Sequence, residues 1–465
     1  MNQTRTHIIG IAGIGMSATG LLLKERGHVV TGSDEGIYPP ASVILPAAGI
    51  AVMSPHAATN IPADVDQFVI GKHAKLTAEN PEVAAAMATG KPILSYPEVL
   101  AQLTRGRRNL VVAGSYGKST STALIAWALA ANGREPGYFI GALPKNLATH
   151  AALGRHEAFV IEGDEYPSSN TDPSSKFMHY APSALLLTAA MHDHVNVFPT
   201  QEDYLRPFRA LLRKMPSGGL VVACLDEPFA AGLAREGHPG RTVFYSLENP
   251  AADYHARTIS YGETTTFTLV HRGTALGAFS TTQLGAHNLQ NMVGAAAMLI
   301  EEKLLSPQEI GDAFARFAGV MRRMDKLTAK SPIPAYEGFG SSREKALSAI
   351  DAIRLHFPRK RLVIVFEPHT FSWRSRDALH WYDTVFREAA EVFVYRPPHH
   401  GATAHNQASH AEITARIAAT GLPTHALSGD EGAIVAALKP DDVVLILSSG
   451  DMDGMIARLV RRMEG

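Results

Sequence analysis

Residues 110–120 read Leu-Val-Val-Ala-Gly-Ser-Tyr-Gly-Lys-Ser-Thr, and this stretch decides the fold. Three apolar residues suit a buried strand, two glycines close a turn, and Thr120 opens an apolar helix running to Ala131, where Asn132-Gly133 ends it. Strand, glycine turn and helix in that order make a phosphate-binding element. Glycines let backbone N–H groups converge on phosphate oxygens, Lys118 adds a point charge for the β- and γ-phosphates, and Ser119 or Thr120 offers a hydroxyl to magnesium. The loop is shorter than G-x-x-x-x-G-K-[ST]. Even so, Gly114, Ser115, Tyr116, Gly117, Lys118, Ser119 and Thr120 supply the parts that ATP binding requires.

An ATP site needs a carboxylate for its metal. Ala158-Phe-Val-Ile-Glu162-Gly-Asp164-Glu165 reads as a strand ending in three acids. Parallel strand order brings that end beside the phosphate loop, at the carboxyl edge where α/β ligands sit. Glu162 is the expected magnesium ligand, with Asp164 and Glu165 behind it; a solvated acidic loop is the alternative. A further strand, Leu185 to Thr188, leads to His192-Asp193-His194. Histidine rarely ligates magnesium, so composition leaves His194 open between a surface residue, a zinc ligand and a member of this site.

Upstream, a strand from His7 leads into another glycine turn, the first along the chain. Gly13-Ile-Gly15-Met16-Ser17-Ala18 fits G-x-G-x-x-A, and Asp34 ends the next strand. The pattern suits a diphosphate at a helix N-terminus. It is met equally by a nicotinamide dinucleotide with Asp34 on a ribose, by a UDP-sugar, and by a tight turn needed only for packing.

Strand-like runs followed by helical patterns recur along all 465 residues, which implies parallel sheets covered by helices in three α/β domains. Boundaries are expected near the basic cluster Arg105 to Arg108 and near Arg322 to Pro334, giving 1–105, 106–328 and 329–465. Thr264 to Val270 and Ala278 to Thr282 read as strands around an Arg272-Gly273 turn, an antiparallel excursion. The last segment reads as a helix from Arg343 to Leu355 and strands at Leu362 to Phe366, Val392 to Tyr395 and Val443 to Leu447. His399-His400, after Arg396-Pro397-Pro398, reads more readily as solvated than as facing a peptide. The 43 Lys+Arg against 44 Asp+Glu leave no cationic excess for general nucleic-acid binding. Cys224 stands alone, so neither a disulfide within the chain nor a cysteine-rich zinc site is expected. No apolar run reaches the ~18 residues of a membrane span, and no signal-like N-terminus precedes His7. The expectation is a cytoplasmic protein without membrane insertion.

In order along the chain, Gly10 to Ser17, Gly114 to Thr120, Glu162-Gly-Asp-Glu165, Asp193-His194 and Gly285-Ala-His287-Asn288-Leu-Gln-Asn291 resemble the Mur ligases, ATP-dependent amide ligases of peptidoglycan synthesis. The resemblance runs from about residue 7 to residue 327, and Arg322-Arg323 looks like the basic stretch closing the family's central domain. It implies a Rossmann-like N-terminal domain holding UDP-N-acetylmuramate, a central P-loop domain holding ATP and Mg2+, and a C-terminal α/β domain holding the amino substrate. Lys118, Glu162 and His194 are then the catalytic residues, with Ser119, Glu162 and His194 on the metal. His287, Asn288, Asn291 and Arg322 would line the nucleotide. Gly13, Gly15, Met16, Ser17, Asp34, Asn146 and His369 would face the substrates. The family implies a monomer or weak homodimer whose partners are the sugar nucleotide and a peptide or amino acid.

Four further stretches resemble the family's peptide-adding branch, which acts in peptidoglycan recycling, more than its alanine-adding branch. They are Gly32 to Pro40, Asn80 to Val83, Leu143 to Asn146, and Asp164-Glu-Tyr166 with Ser175 to Tyr180. The chain departs from the family's pattern near the chemistry. Thr188 and Met191 stand where the family carries Asn and Glu. Glu337-Gly-Phe-Gly-Ser341-Ser342 replaces two aspartates, an aromatic, a small residue and two histidines. A serine hydroxyl cannot titrate near neutral pH as imidazole does. These departures leave two alternatives: a ligase for a different amine, or a catalytically weak nucleotide-binding homologue.

Overall fold

The computed structural model describes residues 3–194, 197–397 and 406–465; His399 and His400 lie outside them. The chain divides into two compact units. One comprises Met1–Ile259, Thr266–Thr281 and His287–Ala318; the other comprises Ser260–Thr265, Thr282–Ala286 and Gly319–Gly465.

The first unit contains a five-stranded sheet in the order Ala51–Met53, Val29–Ser33, Arg5–Ile9, Gln67–Ile70, Ile93–Leu94, with every pairing parallel. Strand order runs outward one way from Arg5–Ile9 and then resumes on its other side. The loops after Arg5–Ile9 and Gln67–Ile70 therefore part at a topological switch point, where α/β sheets open a ligand crevice. The first glycine turn and Lys72 both sit on those loops.

A ten-stranded sheet follows, in which Arg108–Ala113 lies between Pro182–Leu187 and Ala158–Gly163, parallel to both. Leu110, Val111 and Val112 are fully buried, as a strand covered on both faces must be. The helix Lys118–Ala131 is buried on every face through Ser119 to Ala126 and packs into that core. Thr265–His271 and Thr274–Thr281 are neighbours joined by Arg272 and Gly273, both at positive φ, so the expected excursion is a hairpin whose strands differ from those read by a few residues.

The second unit holds a sheet in the order Arg323–Lys326, Ala335–Phe339, Asp442–Ser448, Arg361–Phe366, Glu391–Tyr395, Thr424–Leu427. Only the first pair is antiparallel. Arg323–Lys326 pairs with Ala335–Phe339, and the second unit takes in the chain from Gly319 onward. Pro332 and Pro334 precede the buried strand Ala335–Phe339. No helix among the described residues is long and apolar enough to cross a membrane.

Candidate active site

The second glycine turn is shaped by two residues in backbone conformations that favour glycine. Gly114 has φ +146° and Gly117 φ +81°. A Cβ on Gly114 would stand 2.3 Å from Thr188 Oγ1, and one on Gly117 would stand 2.5 Å from Asn291 Oδ1. The Thr188 hydroxyl donates to the Ala113 carbonyl at 3.3 Å and to the Tyr116 carbonyl. Thr188, which departs from the family pattern, thus braces the loop. The Ser115 N–H donates to Ala189 O at 3.1 Å, and Ser115 Oγ accepts from Met191 N–H at 3.1 Å. The helix starts at Lys118 with no side chain capping its first turn, so its N–H groups face the turn. Ser119 and Thr120 are buried in that first turn.

Lys118 is mostly buried. Its Nζ donates to the Gly114 carbonyl and to Glu165 Oε2 at 2.9 Å. Burial alone would push this ammonium down, but Glu165, then Asp164 and Glu162, hold it above its ordinary value. Glu165 is fully buried. Its Oε1 accepts from the Tyr204 hydroxyl at 2.9 Å and lies 3.5 Å from His194 Nε2. Against the cost of burial, Lys118 and His194 hold the Glu165 carboxyl well below the usual range. The hydrogen bond to Glu165 in turn raises His194. A capping box of Thr200 and Asp203 starts the helix Gln201–Arg213 and fixes Tyr204 in register for this contact.

Glu162 occupies a separate position. Ser119 Oγ donates to its Oε1 at 2.9 Å, and the Gly141 N–H donates to its Oε2 at 2.7 Å. Lys118 and Ser119 are adjacent on the helix, yet each meets a different acid of the Glu162–Glu165 run. The sequence placed Glu165 behind Glu162; the structure makes Glu165 the counter-ion of the lysine. His194, at φ +53°, meets Glu165 and stands edge-on to Tyr166 with ring centroids 5.1 Å apart.

Hydroxyl and carboxylate oxygens fit a hard cation. Among the described residues no group of three His, Cys, Asp or Glu is arranged to cage a metal ion. Few protein donors beside a phosphate turn suit Mg2+, which keeps waters and takes phosphate oxygens as ligands. The cradle that a Cβ would fill at Gly114 and Gly117 likewise fits a phosphate chain.

The first glycine turn is neutral. The Asp34 carboxylate accepts from the Ala12 N–H at 2.9 Å and from the Glu35 N–H at 2.8 Å, so it holds the turn's backbone. Ser17 is buried; its hydroxyl donates to Ile14 O at 3.0 Å and lies 3.2 Å from His150 Nε2. Gly13 precedes the helix Ile14–Glu25, whose first turn carries no side-chain cap. Gly15 packs under Tyr96, and Met16 is buried. A cleft of about 220 Å³ runs from Gly13 and Gly15 past Lys72 and Lys176 to Asp164 and Glu162.

Other expected positions are more scattered. Asn288 and Asn291 are buried on the helix Ala286–Glu301, with Asn291 against Gly117, while His287 is exposed. Asn146 is pinned at both ends of its amide, to Arg316 O at 2.9 Å and Ala318 N–H at 2.6 Å. In the second unit, Arg322 pairs with Glu337 at 3.0 Å and donates to the Gly450 carbonyl. His369 lies 3.2 Å from Glu367. Ser342 caps the helix Arg343–His356, and Ser341 Oγ accepts from Lys345 Nζ at 3.2 Å.

Family models described as "Mur ligase family, catalytic domain" and "Mur ligase middle domain" match residues 5–108 and 112–299. A UDP-N-acetylmuramate–L-alanine ligase of Sorangium cellulosum is 31% identical, with 98% of this chain and 96% of that protein covered. The UDP-N-acetylmuramate–L-alanyl-γ-D-glutamyl-meso-2,6-diaminoheptandioate ligase of Escherichia coli is 28% identical over 98% and 97%. A crystal structure of UDP-N-acetylmuramate–alanine ligase from Thermotoga maritima shares the fold with a TM-score of 0.80 at 20% identity, covering 99% of each chain. With that breadth of match added to two glycine turns and an acid-flanked lysine, the chain belongs to the Mur ligase family, enzymes that use ATP and Mg2+ to form C–N bonds.

Proposed function

We propose that this ligase joins UDP-N-acetylmuramate to a peptide amine, L-alanyl-γ-D-glutamyl-meso-diaminopimelate, as in peptidoglycan recycling. The observation that carries the reading is the single cleft leading from the neutral glycine turn to Glu162, because a sugar nucleotide gripped at one end brings its acid to the other. The proposed division is 1–105 for the sugar nucleotide, 106–328 for ATP and 329–465 for the amine.

Lys118, kept charged by Glu165, holds the terminal phosphoryl and neutralises charge as it moves. A lactyl carboxylate oxygen forms the new P–O bond while the bond to the ADP oxygen breaks, which yields an acyl phosphate. The peptide amine then attacks the acyl carbon; the C–O bond to phosphate breaks and the amine gives up a proton. Most of the acceleration comes from positioning and charge neutralisation. Ser119, Glu162 and His194 would hold magnesium, which would supply charge compensation for the reacting oxygens. His287, Asn288, Asn291 and Arg322 serve the nucleotide. Gly13, Gly15 and Met16 present backbone to the diphosphate, while Ser17, Asp34 and Asn146 act through the turns they brace. His369 serves the amino substrate.

The 31% identity to an alanine-adding enzyme favours L-alanine as the second reading for the amine. A panel of L-alanine, the tripeptide and the tetrapeptide, each with UDP-N-acetylmuramate and ATP, tests both through product mass and phosphate release. The tripeptide product is expected. Alanine ligation alone overturns the peptide reading, and phosphate release without any amide product overturns the ligase reading of this chain.

A further inference from the structure

The ion pairs along the cleft take in Lys118 and Lys176 and leave one cation out. Glu162 is engaged by Ser119 and Gly141. Lys176 is nearly buried and paired with Asp164, Nζ to Oδ2 at 2.5 Å. Lys118 is paired with Glu165. Lys72, which lines the same cleft half-buried, has no hydrogen bond or ion pair among the described residues. Its ammonium lies over the Tyr166 ring, 5.2 Å from the centroid, a contact that orients the charge without cancelling it. Burial, and then the Lys176 ammonium, hold Lys72 below its ordinary value.

The position is also pre-formed. Asn170 Nδ2, on the loop after Ala158–Gly163, donates to His73 O at 2.9 Å and to Leu76 O at 2.8 Å. Asn80 Nδ2 donates to Lys75 O at 3.2 Å. The loop carrying Lys72 is therefore tied to the loop carrying Tyr166. An unneutralised cation fixed in a cleft is a receptor for an anion.

We propose that Lys72 recognises the carboxylate of the sugar-nucleotide donor, so that the cleft selects an acid-bearing nucleotide sugar over the same nucleotide sugar without the acid. This rests on the donor being UDP-N-acetylmuramate. A diphosphate has its own receptor in the uncapped helix N-terminus after Gly13. Lys72 sits on the other side: the Tyr166 ring beneath it meets the edge of His194, which contacts Glu165, the partner of Lys118. That is the side where the carboxylate must meet the phosphoryl group.

Calorimetric binding of UDP-N-acetylmuramate and UDP-N-acetylglucosamine to the wild type, Lys72→Met and Lys72→Arg, all without ATP, tests the assignment. Lys72→Met is expected to weaken the muramate nucleotide about tenfold to a hundredfold, the range for a charged hydrogen bond. Binding of the glucosamine nucleotide should stay unchanged, which also reports an intact fold. Lys72→Arg should keep most of the preference. Equal weakening of both ligands assigns Lys72 to the diphosphate and overturns the proposal, as does no weakening of either. A wild type that binds neither sugar nucleotide overturns the donor reading itself. A wild type that binds both equally overturns the selectivity while leaving the donor's nucleotide end in place.

Discussion

The two glycine turns share a local design and differ in the charge around it. Each follows a parallel strand and opens a helix whose first turn lacks a side-chain cap. Around Gly13 the acid Asp34 is spent on the backbone N–H groups of Ala12 and Glu35, and no cation sits in the turn itself. Around Gly117 a lysine stands inside the helix, with three acids raising its charge affinity. A neutral cradle of dipoles can hold a diphosphate that never reacts. Transfer of a phosphoryl group needs charge that is fixed and close before the reaction starts. Residue types outside the turns, not the glycines, set the difference.

The sharpest way to break the comparison is Lys118→Ala. It should lower ligation by about 10³-fold or more, in line with losing a pre-positioned charge. Affinity for the sugar nucleotide should stay close to wild type, because the first turn is untouched; parallel loss of both would merge two sites that the comparison keeps apart. The same variant leaves Glu165 buried without its cation, at a cost of about 3–5 kcal/mol in urea unfolding. Glu165→Gln in the Lys118→Ala background should recover part of that stability without restoring ligation.

His150 allows the first turn to be probed by pH. Its Nε2 lies 3.1 Å from Ile14 O, its Nδ1 is buried without a partner among the described residues, and burial pushes it down to about 4. The unfolded imidazole titrates near 6.5, so between 6.5 and 4 the unfolded chain binds more protons than the fold. Stability from this residue is fully present above pH 6.5 and is lost as pH falls toward 4, by about 3 kcal/mol. Urea unfolding at pH 7 and pH 4.5 should show a steeper loss in the wild type than in His150→Gln. Equal slopes would remove His150 as the cause.

A matched pair of substitutions sharpens the contrast further. Gly117→Ala puts a Cβ 2.5 Å from Asn291 Oδ1 at φ +81°, and should cost about 1–3 kcal/mol together with ATP affinity. Gly15→Ala meets only the Tyr96 ring at 3.2 Å inside a helix, so its effect on thermal unfolding should be smaller. The smallest effect belongs to Asp34→Ala, which removes two neutral-donor contacts and should cost about 1–2 kcal/mol, read as a modest rise in KM for the sugar nucleotide. No saturable NADH fluorescence titration is expected from the wild type, since the carboxylate that a ribose would need already holds Ala12 and Glu35.

The parts of this molecule that could be read from the chain are those where chemistry and spacing coincide. Gly-x-x-Gly-Lys-Ser after Leu-Val-Val announces a phosphate turn because few other uses need those residues together. The carboxyl-edge rule then brings Glu162 to Ser119. Glu165 was harder to assign. Along the chain it is one acid among three, and its pairing with Lys118 comes from Tyr204 and His194, which approach from distant segments. The strand Ala335–Phe339 was hidden by its own composition. Two prolines precede it, and Glu337 and Gly338 interrupt its apolar pattern, since Glu337 pairs with Arg322 and a Cβ at Gly338 would stand 3.1 Å from Ala349 Cβ. Lys72 carries no motif at all. Its meaning lies in the partners that its neighbours have and it lacks.

The amide of Asn170, bridging His73 and Leu76, makes two loops from different sheets behave as one part. Anyone regrafting this enzyme to accept another sugar donor should therefore move both loops in a single transplant. Swapped separately, each would arrive without its fastening, and a loss of turnover would report a slack joint and say nothing of altered taste.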